Sequence, residues 1–337
     1  MTMSERILLS HGGGGTLTAQ LLADEILPRF GHPALRALED AAVLEPGAGR
    51  IAFTTDTYVV QPVFFPGGNI GDLAVCGTVN DLAMMGAAPR FLSLALVLEE
   101  GFLRADLARV LDSVRARAEE AQVQVVTGDT KVVPRGQADG LYVNTAGLGT
   151  IADPGGPSVA AARPGDRVLI SGAVGLHGLA VLLARGDLSL ETPLKSDVAS
   201  LAAPVRALLD AGVRVRALRD LTRGGLAMAL HDVAEASGVT VEIDEAALPE
   251  DATQAAACEL LGIDPLTVAC EGRFLAVVDA RDAERAAQIL TAHPVTRAAA
   301  VAGTIRERGR VPVELVTAIG TRRVLAAPRG EEMPRIC

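Results

Sequence analysis

The chain has 337 residues, which predicts two domains of roughly 150 to 170 residues each rather than one. Apolar residues make up 49% of the chain and charged residues 21%, and this balance excludes wholesale disorder. The formal net charge of −10, together with no Trp, 2 Tyr and 7 Phe, argues against binding to nucleic acid or to an anionic membrane surface.

The four cysteines form neither a CxxC pair nor a zinc-ligand spacing. The opening residues, MTMSERILLS, lack the apolar stretch of a signal peptide, and no 18-residue apolar run follows. We therefore expect a cytoplasmic protein with reduced thiols and no membrane segment. Cys258 and Cys270 are expected to be ordinary buried cysteines.

Residues 1–40 are predicted to form an N-terminal arm, in which a glycine run precedes an amphipathic stretch over 17–30. An N-terminal α/β domain, 41–151, follows. Its predicted strands cover 50–60, 91–98, 123–133 and 141–151, and its predicted helices cover 70–86 and 103–121. Residues 152–165 have the Pro- and Gly-rich composition of a linker.

The second predicted α/β domain covers 166–326. Strands are predicted at 167–173, 239–243, 273–279, 298–305 and 311–316, and helices at 176–185, 197–211, 225–237, 252–261 and 281–292. Residues 327–337 have Pro, Gly and charge without a period, so we expect a flexible tail that ends in Cys337.

A run of four glycines lies near the start of the chain: Gly12, Gly13, Gly14 and Gly15. Such a run leaves backbone N–H groups unobstructed, as a phosphate-binding loop requires. It matches neither a Walker A loop nor GxGxxG after a strand. The alternative is a flexible linker.

Four aspartates stand at strand ends or beside glycines and small residues: Asp56, Asp81, Asp129 and Asp220. Mg²⁺ takes hard oxygen ligands and usually bridges to substrate phosphates, so carboxylates gathered in this way favour a metal–phosphate site. The alternative for any one of them is a turn or helix N-cap residue.

Only two of the 31 basic residues are lysines, Lys131 and Lys195. Lys131 follows Asp129 by two positions, so both side chains are predicted to share one face of an extended segment. Lys131 could neutralise phosphate charge or accept a proton, and the alternative is a surface cation without a specific role. Glu271 precedes a predicted strand and is either a strand-edge carboxylate of the site or a solvated loop acid.

Several motifs together resemble the HypE family of hydrogenase maturation factors, which belongs to the ATP-binding superfamily of aminoimidazole ribonucleotide synthetase. They are GDLAVCGTVNDLAMMGA (71–87), TGDTKVV (127–133), DLTRGGLA (220–227), CEGRF (270–274) and the terminal PRIC. The sequence departs from the family in the glycine run, where the family more often has HGSGG. Backbone contacts to phosphate do not depend on that difference.

The resemblance implies an α/β (α+β) two-domain fold of the aminoimidazole ribonucleotide synthetase type, with a glycine-rich arm and a C-terminal cysteine tail. It implies a homodimer formed through the N-terminal domains, with ATP in the cleft between the two domains and the glycine arm over it. The implied activity is an ATP-dependent carbamoyl dehydratase. A carbamoyltransferase loads the terminal thiol, the thiocarboxamide is dehydrated to a thiocyanate, and cyanide passes to an iron-carrying maturation scaffold for nickel–iron hydrogenase.

The resemblance also assigns residues. The implied catalytic residues are Cys337, Lys131 and Glu271. The implied ATP-binding residues are Gly12, Gly13, Gly14, Gly15, Asp56, Asn80, Asp81, Asp129, Thr130 and Asp220, of which the four aspartates are also the implied Mg²⁺ ligands.

Two kinds of rival remain at this stage. One is another enzyme of the superfamily, such as a selenophosphate synthetase, a thiamine-phosphate kinase or a purine-pathway synthetase. The first would be expected to carry Cys or selenocysteine near the glycine run, and residues 10–20 contain none. The other rival is a non-catalytic carrier that presents a thiol to partners, which would have no need of the acidic residues.

Overall fold

The computed structural model describes residues 15–21, 23, 42–44, 50–152, 155–186 and 192–330, with the backbone alone at 18, 21 and 42–44. Each predicted half builds its own sheet, as expected. In the described part of the chain, no helix is both long and apolar enough to cross a bilayer. Gly12, Gly13, Gly14 and Cys337 lie outside the described residues.

The N-terminal half forms a five-stranded sheet in the order β1-β2-β7-β5-β6, antiparallel except between β5 and β6. A separate two-stranded hairpin, β3-β4, precedes the second helix. The elements are α1 (Thr16–Leu21), β1 (Ala42–Leu44), β2 (Arg50–Tyr58), β3 (Phe64–Phe65), β4 (Gly68–Asn69), α2 (Ile70–Met84), β5 (Ala88–Glu99), α3 (Arg104–Glu120), β6 (Gln124–Val133) and β7 (Leu141–Ile151).

The C-terminal half forms a seven-stranded sheet in the order β14-β13-β10-β12-β8-β11-β9, in which only β10 and β13 run parallel. One face packs against α6 and the other against α5 and α8. The elements are β8 (Arg167–Ile170), α4 (Leu176–Ala184), α5 (Ala202–Asp210), β9 (Val215–Asp220), α6 (Gly225–Ser237), β10 (Thr240–Asp244), α7 (Ala252–Leu261), β11 (Phe274–Val278), α8 (Ala283–Thr291), β12 (Ala300–Arg306), β13 (Val313–Val316) and β14 (Arg322–Val324).

Helix α2 lies between the two halves and is buried along nearly its whole length. It packs against β2 and β7 of its own sheet and against α5 and β9 of the other half. Its start is fixed by a capping box, in which Asn69 Oδ1 accepts from the Gly71 N–H and Asp72 Oδ2 accepts from the Asn69 N–H. Asn80 and Asp81, near the C-terminal end of α2, therefore lie at the interface between the two halves.

Three predictions of local structure need correction. The helix predicted from 197 begins only at Ala202, and 192–201 is a largely buried loop whose Ser196 and Asp197 side chains accept backbone N–H groups and so compete with helix formation. The linker has no helix or strand in its described residues, as predicted, yet Val159 and Ala162 pack into the C-terminal core. Strands β1, β3, β4, β9 and β14 were not predicted.

Candidate active site

Asp56 and Asp81 are brought together by β2 and the helix that packs on it. Alternation along β2 places Thr54 and Asp56 on one face, which is the face that α2 covers. Thr54 Oγ1 donates to Asp81 Oδ2 at 2.7 Å and fixes the carboxylate of the helix against the strand. Asp56 Oδ1 accepts from the backbone N–H of Thr57 at 2.8 Å.

Asp220 and Glu271 enter the same region from the C-terminal half. Asp220 is the last residue of β9, and Leu221, which follows it, bonds to the loop before β11. The Leu221 N–H donates to the Arg273 carbonyl at 3.0 Å, and the Cys270 N–H donates to the Leu221 carbonyl at 2.8 Å. This pairing places Glu271 beside Asp220, and both carboxyl groups are buried.

The four carboxyl groups repel one another in a buried setting. Burial raises the pKa of Asp81 well above its usual value, and the charges of Asp220 and Asp56 add to the effect. Burial also raises the pKa of Asp220 to about 6, although Arg219 opposes the shift. Burial raises the pKa of Glu271 well above its usual value, and the charges of Asp220 and Asp56 raise it further. We call Asp56, Asp81, Asp220 and Glu271 the acidic cluster.

Arg223 is a functional candidate that the sequence analysis missed. Its charge lowers the pKa values of both Asp81 and Glu271, so it lies close to the acidic cluster. Two glycines follow it with left-handed backbones, Gly224 at φ +80° and Gly225 at φ +59°, and a Cβ at Gly225 would lie 2.7 Å from backbone oxygens. The available signal was Arg223 itself, the one cation of the DLTRGG motif.

The acidic cluster fits a divalent cation. Its buried carboxylates repel one another, which a hard cation would relieve. Among the residues that the structure describes, no group of three His, Cys, Asp or Glu side chains forms a complete metal site. Mg²⁺ typically uses one or two carboxylates and completes its octahedron with waters and substrate phosphates, so this donor set suits Mg²⁺ bound together with a nucleotide.

Asp129, Thr130 and Lys131 do not join the acidic cluster within one chain. Lys131 Nζ lies 2.7 Å from Asp129 Oδ2, as the predicted shared face requires, and its hydrogen bond lowers the pKa of Asp129. Both side chains are exposed on β6, the edge strand. Strands β7 and β5 separate β6 from β2, a distance of about 14 Å at the usual strand spacing.

Asn80, a predicted ATP-binding residue, links the two halves of the chain. Its Nδ2 donates to the Ala199 carbonyl at 3.1 Å and to the Glu271 carbonyl at 3.4 Å, and its Oδ1 accepts from the Leu201 N–H at 2.7 Å. Both polar atoms of the side chain are therefore already bonded. In this arrangement Asn80 supports the backbone around Glu271.

Gly15, the last residue of the glycine run, packs against the start of the C-terminal tail. A Cβ at this position would lie 2.5 Å from the Gly330 nitrogen and 2.6 Å from the Pro328 oxygen. The N–H of Thr16 donates to the Pro328 carbonyl at 3.2 Å. The arm and the tail therefore contact each other where both can be described.

The first residues of the predicted flexible tail are packed. His231 Nε2 bonds to the Leu325 carbonyl at 2.8 Å, and both Pro328 and Gly330 are buried. Pro328 also lies beside Gly224, since a Cβ there would be 3.6 Å from Pro328 Cγ. The described end of the chain thus runs past the turn that carries Arg223.

Both halves match family models. Residues 38–151 match the N-terminal domain of AIR synthase related proteins, and residues 163–316 match the C-terminal domain. A thiamine monophosphate kinase from Aquifex aeolicus is similar in fold, with a TM-score of 0.68 at 19% identity over 91% of this chain and 99% of that chain. At that identity the likeness shows the fold alone.

Several relatives at much higher identity are named carbamoyl dehydratase HypE. The carbamoyl dehydratase HypE of Rhizobium leguminosarum bv. viciae is 46% identical over 98% of this chain and 95% of its own length, and that of Escherichia coli K12 is 42% identical over 98% and 99%. A HypE solved in complex with ATP has a TM-score of 0.83 at 42% identity, covering 98% of this chain and 100% of that one. A chain of a HypE–HypF complex has a TM-score of 0.87 at 43% identity, covering 93% and 100%. The motifs, the fold and these relatives agree, and the chain belongs to the HypE family of carbamoyl dehydratases, built on the two domains of AIR synthase related proteins.

Proposed function

We propose that this chain uses ATP to dehydrate a carbamoyl group, carried as a thiocarboxamide on Cys337, to a thiocyanate that supplies cyanide to the iron of nickel–iron hydrogenase. The observation that carries the proposal is the acidic cluster at the domain interface, with the packed start of the tail running past Arg223. The relatives named carbamoyl dehydratase support the reaction type.

The atoms of the proposed reaction balance without a further reactant. The carbonyl oxygen of the thiocarboxamide attacks the γ-phosphorus of ATP, and ADP leaves. The carbon–oxygen bond then breaks, phosphate departs with that oxygen, and a carbon–nitrogen triple bond forms. The nitrogen loses two protons in all, so the site must provide for proton removal as well as for phosphoryl transfer.

Asp56, Asp81 and Asp220 are proposed to bind Mg²⁺ together with the ATP phosphates, one or two of them directly and the others through its bound waters. Bound Mg²⁺ would neutralise the charge that develops during phosphoryl transfer. The backbone N–H groups of Gly12, Gly13 and Gly14 are proposed to contact the phosphates, while Gly15 joins that loop to the tail. Asn80 is proposed to act indirectly, by holding the backbone beside the nucleotide.

Glu271 is proposed to accept a proton from the thiocarboxamide nitrogen. Its Oε1 atom is buried and has no hydrogen-bond partner among the described residues, so one carboxyl oxygen is available to a substrate. Burial and the neighbouring aspartates raise the pKa of Glu271, which makes its carboxylate a stronger base than an ordinary glutamate.

Lys131, Asp129 and Thr130 are proposed to act from the second subunit of a homodimer. Nearly every residue of β6 is exposed, including Val125, Val126 and Val132. An edge strand with exposed valines is suited to pair with another chain. If β6 pairs with a second subunit, Asp129 and Lys131 would lie near the acidic cluster of that subunit. There Lys131 would bind the phosphates or accept the second proton that leaves the nitrogen.

Cys337 is proposed as the thiol that carries the substrate, because the other three cysteines of the chain are buried. Seven residues lie beyond Gly330, and an extended segment of that length spans at most about 25 Å. Since Gly330 lies near the turn of Arg223, this length suffices to bring the thiol to the acidic cluster or out to a partner.

Two protein partners are proposed. A carbamoyltransferase would load Cys337, and the solved HypE–HypF complex of a relative supports an association of that kind. An iron-carrying maturation scaffold would accept the cyano group. In this scheme the chain is an enzyme and not a passive carrier, because the acidic cluster binds Mg·ATP and the tail brings the substrate to it.

Intact mass spectrometry tests the proposal directly. After incubation with the carbamoyltransferase and a carbamoyl donor, wild-type protein is expected to gain one carbamoyl group, and then to lose the mass of one water when Mg·ATP is added. Cys337→Ala should gain nothing, whereas Cys258→Ser, which alters a buried thiol, should behave as wild type. A passive carrier would show the first mass change without the second, a kinase would show neither, and cyanylation of Cys337→Ala would refute the assignment.

A further inference from the structure

Asp197 lies in the buried loop 192–201, directly beside the backbone of Glu271. We infer that Asp197 is a positioning residue that orients Glu271 for the dehydration step. This inference rests on the proposed role of Glu271. It arises from contacts that sequence patterns could not reveal, since the sequence placed Asp197 in a helix.

The contact between the two residues is specific. Asp197 Oδ1 accepts a hydrogen bond from the Glu271 backbone N–H at 2.9 Å, and the Asp197 side chain is fully buried. Its other oxygen, Oδ2, has no hydrogen-bond partner in the described chain and lies 3.8 Å from Arg273 Nε. A buried charge of this kind is costly, and the nearby guanidinium offsets only part of the cost.

Gly272 allows the loop to come this close. A Cβ at Gly272 would lie 1.9 Å from the Asp197 carbonyl oxygen, a distance that no side chain can tolerate. The Ala199 N–H also donates to the Glu271 carbonyl, at 3.4 Å. The loop therefore holds Glu271 from its N–H and its carbonyl, on either side of the Cα that carries the carboxyl group.

The loop is itself fixed to both halves of the chain. The Ser196 N–H donates to the Pro66 carbonyl at 2.8 Å, and Ser196 Oγ bonds to His177 Nδ1 at 2.8 Å. Asn80 holds Ala199 and Leu201, as described above. Asp197 thus connects Glu271 to a loop that is itself held in place, whereas Glu271 Oε1 makes no hydrogen bond among the described residues. The position of this loop matters because a small displacement of a reacting group lowers the reaction rate strongly.

Asp166 offers a matched control elsewhere in the same domain. It is a buried aspartate whose Oδ2 accepts from the Arg163 N–H at 2.9 Å and lies 3.7 Å from Arg216 Nε. The loss of Asp166 therefore removes the same kinds of contact as the loss of Asp197. Asp166 is absent from the groups whose charges act on the acidic cluster.

The test compares single-turnover dehydration in the full-length protein, loaded with carbamoyl and mixed with Mg·ATP. Asp197→Ala is expected to slow dehydration by about tenfold to a hundredfold while the KM for ATP stays within about twofold of wild type. Asp197→Asn should recover most of the rate, because its amide oxygen accepts the same N–H. Asp166→Ala should lower Tm and leave the dehydration rate unchanged. If Asp197→Ala does not fold, Asp197→Val withdraws both acceptor oxygens and leaves a smaller void.

The outcomes separate this inference from the proposed function. Wild-type dehydration in Asp197→Ala, equal rate losses in Asp197→Ala and Asp166→Ala, or no recovery in Asp197→Asn would each overturn the positioning role. Glu271→Gln is measured in parallel. Normal dehydration in Glu271→Gln would overturn the proposed function of that residue, whereas a slow Glu271→Gln beside a normal Asp197→Ala would overturn the inference alone.

Discussion

Asp220 is the residue in which stability and function oppose each other most directly. Burial raises its pKa from 3.8 to about 6 in the folded chain. Between these two values the folded chain keeps a proton that the unfolded chain has released, so the free energy of unfolding falls as the pH rises through this window. The two units correspond to at most about 3 kcal/mol.

Asp220→Asn is therefore expected to stabilise the ligand-free protein at pH 7.5, by up to about 3 kcal/mol, and to abolish most ATP turnover. The stability difference from wild type should shrink to below about 1 kcal/mol near pH 4, where Asp220 is protonated in the folded chain and partly protonated in the unfolded chain. Urea unfolding with EDTA at the two pH values measures this. A variant less stable than wild type at pH 7.5 would contradict the electrostatic explanation.

The two lysines of the chain make a second matched pair. Lys131 is bonded to Asp129 on β6, whereas Lys195 is exposed in the loop beside Gly67. Lys131→Arg should lose dehydration by more than about tenfold, because a guanidinium is planar, larger than an ammonium and unable to give up a proton. Lys195→Arg should match wild type in the same mass assay. Equal activity of the two variants would remove the special role of Lys131.

At this scale the sequence identified the acidic residues but not what surrounds them. Asp56, Asp81 and Asp220 were selected because each was expected at a strand end or beside small residues. That placement is correct only for Asp220, because Asp56 lies within β2 and Asp81 within α2. For Glu271 the sequence left two interpretations open, a residue of the site or a solvated loop acid, and its burial in the structure excludes the solvated acid. Thr54, Asp197 and Arg223 were missed because their importance comes from contacts across long sequence separations, which one sequence does not display.

Whole elements were predicted where hydrophobic periodicity was clear. The strand predicted at 141–151 is β7, Leu141–Ile151, and the helix predicted at 225–237 is α6, Gly225–Ser237. Strand β9 was missed because its sequence, VRALRD, carries two arginines and ends in a buried aspartate. Its apolar residues therefore show neither the repeat of a helix nor the alternation of a strand. Residues 197–201 were predicted as the start of a helix, but they lie in the loop 192–201, where the side chains of Ser196 and Asp197 bond to backbone groups of the loop and of Glu271.

For the molecule as a whole, the proposed homodimer can be tested through the edge strand. Val126 is 57% exposed on β6, and Ile319 is 86% exposed in a turn of the C-terminal half. Val126→Lys should convert the dimer to a monomer in light scattering, because a charge on an edge strand opposes pairing. Dehydration should fall with it, since the proposed second-subunit residues are lost. Ile319→Lys should remain dimeric and active, and a monomeric wild type would contradict the proposal.

The amide of Asn80 has a consequence for how nucleotide reaches the site. It joins α2 to the Ala199, Leu201 and Glu271 backbones, which belong to the other half of the chain. If the two halves separated, the three hydrogen bonds of Asn80 would be lost together, and water could replace them only after the interface had opened. Under the proposed function, ATP would therefore bind and ADP would leave without separation of the two halves, which would stay joined through every turnover.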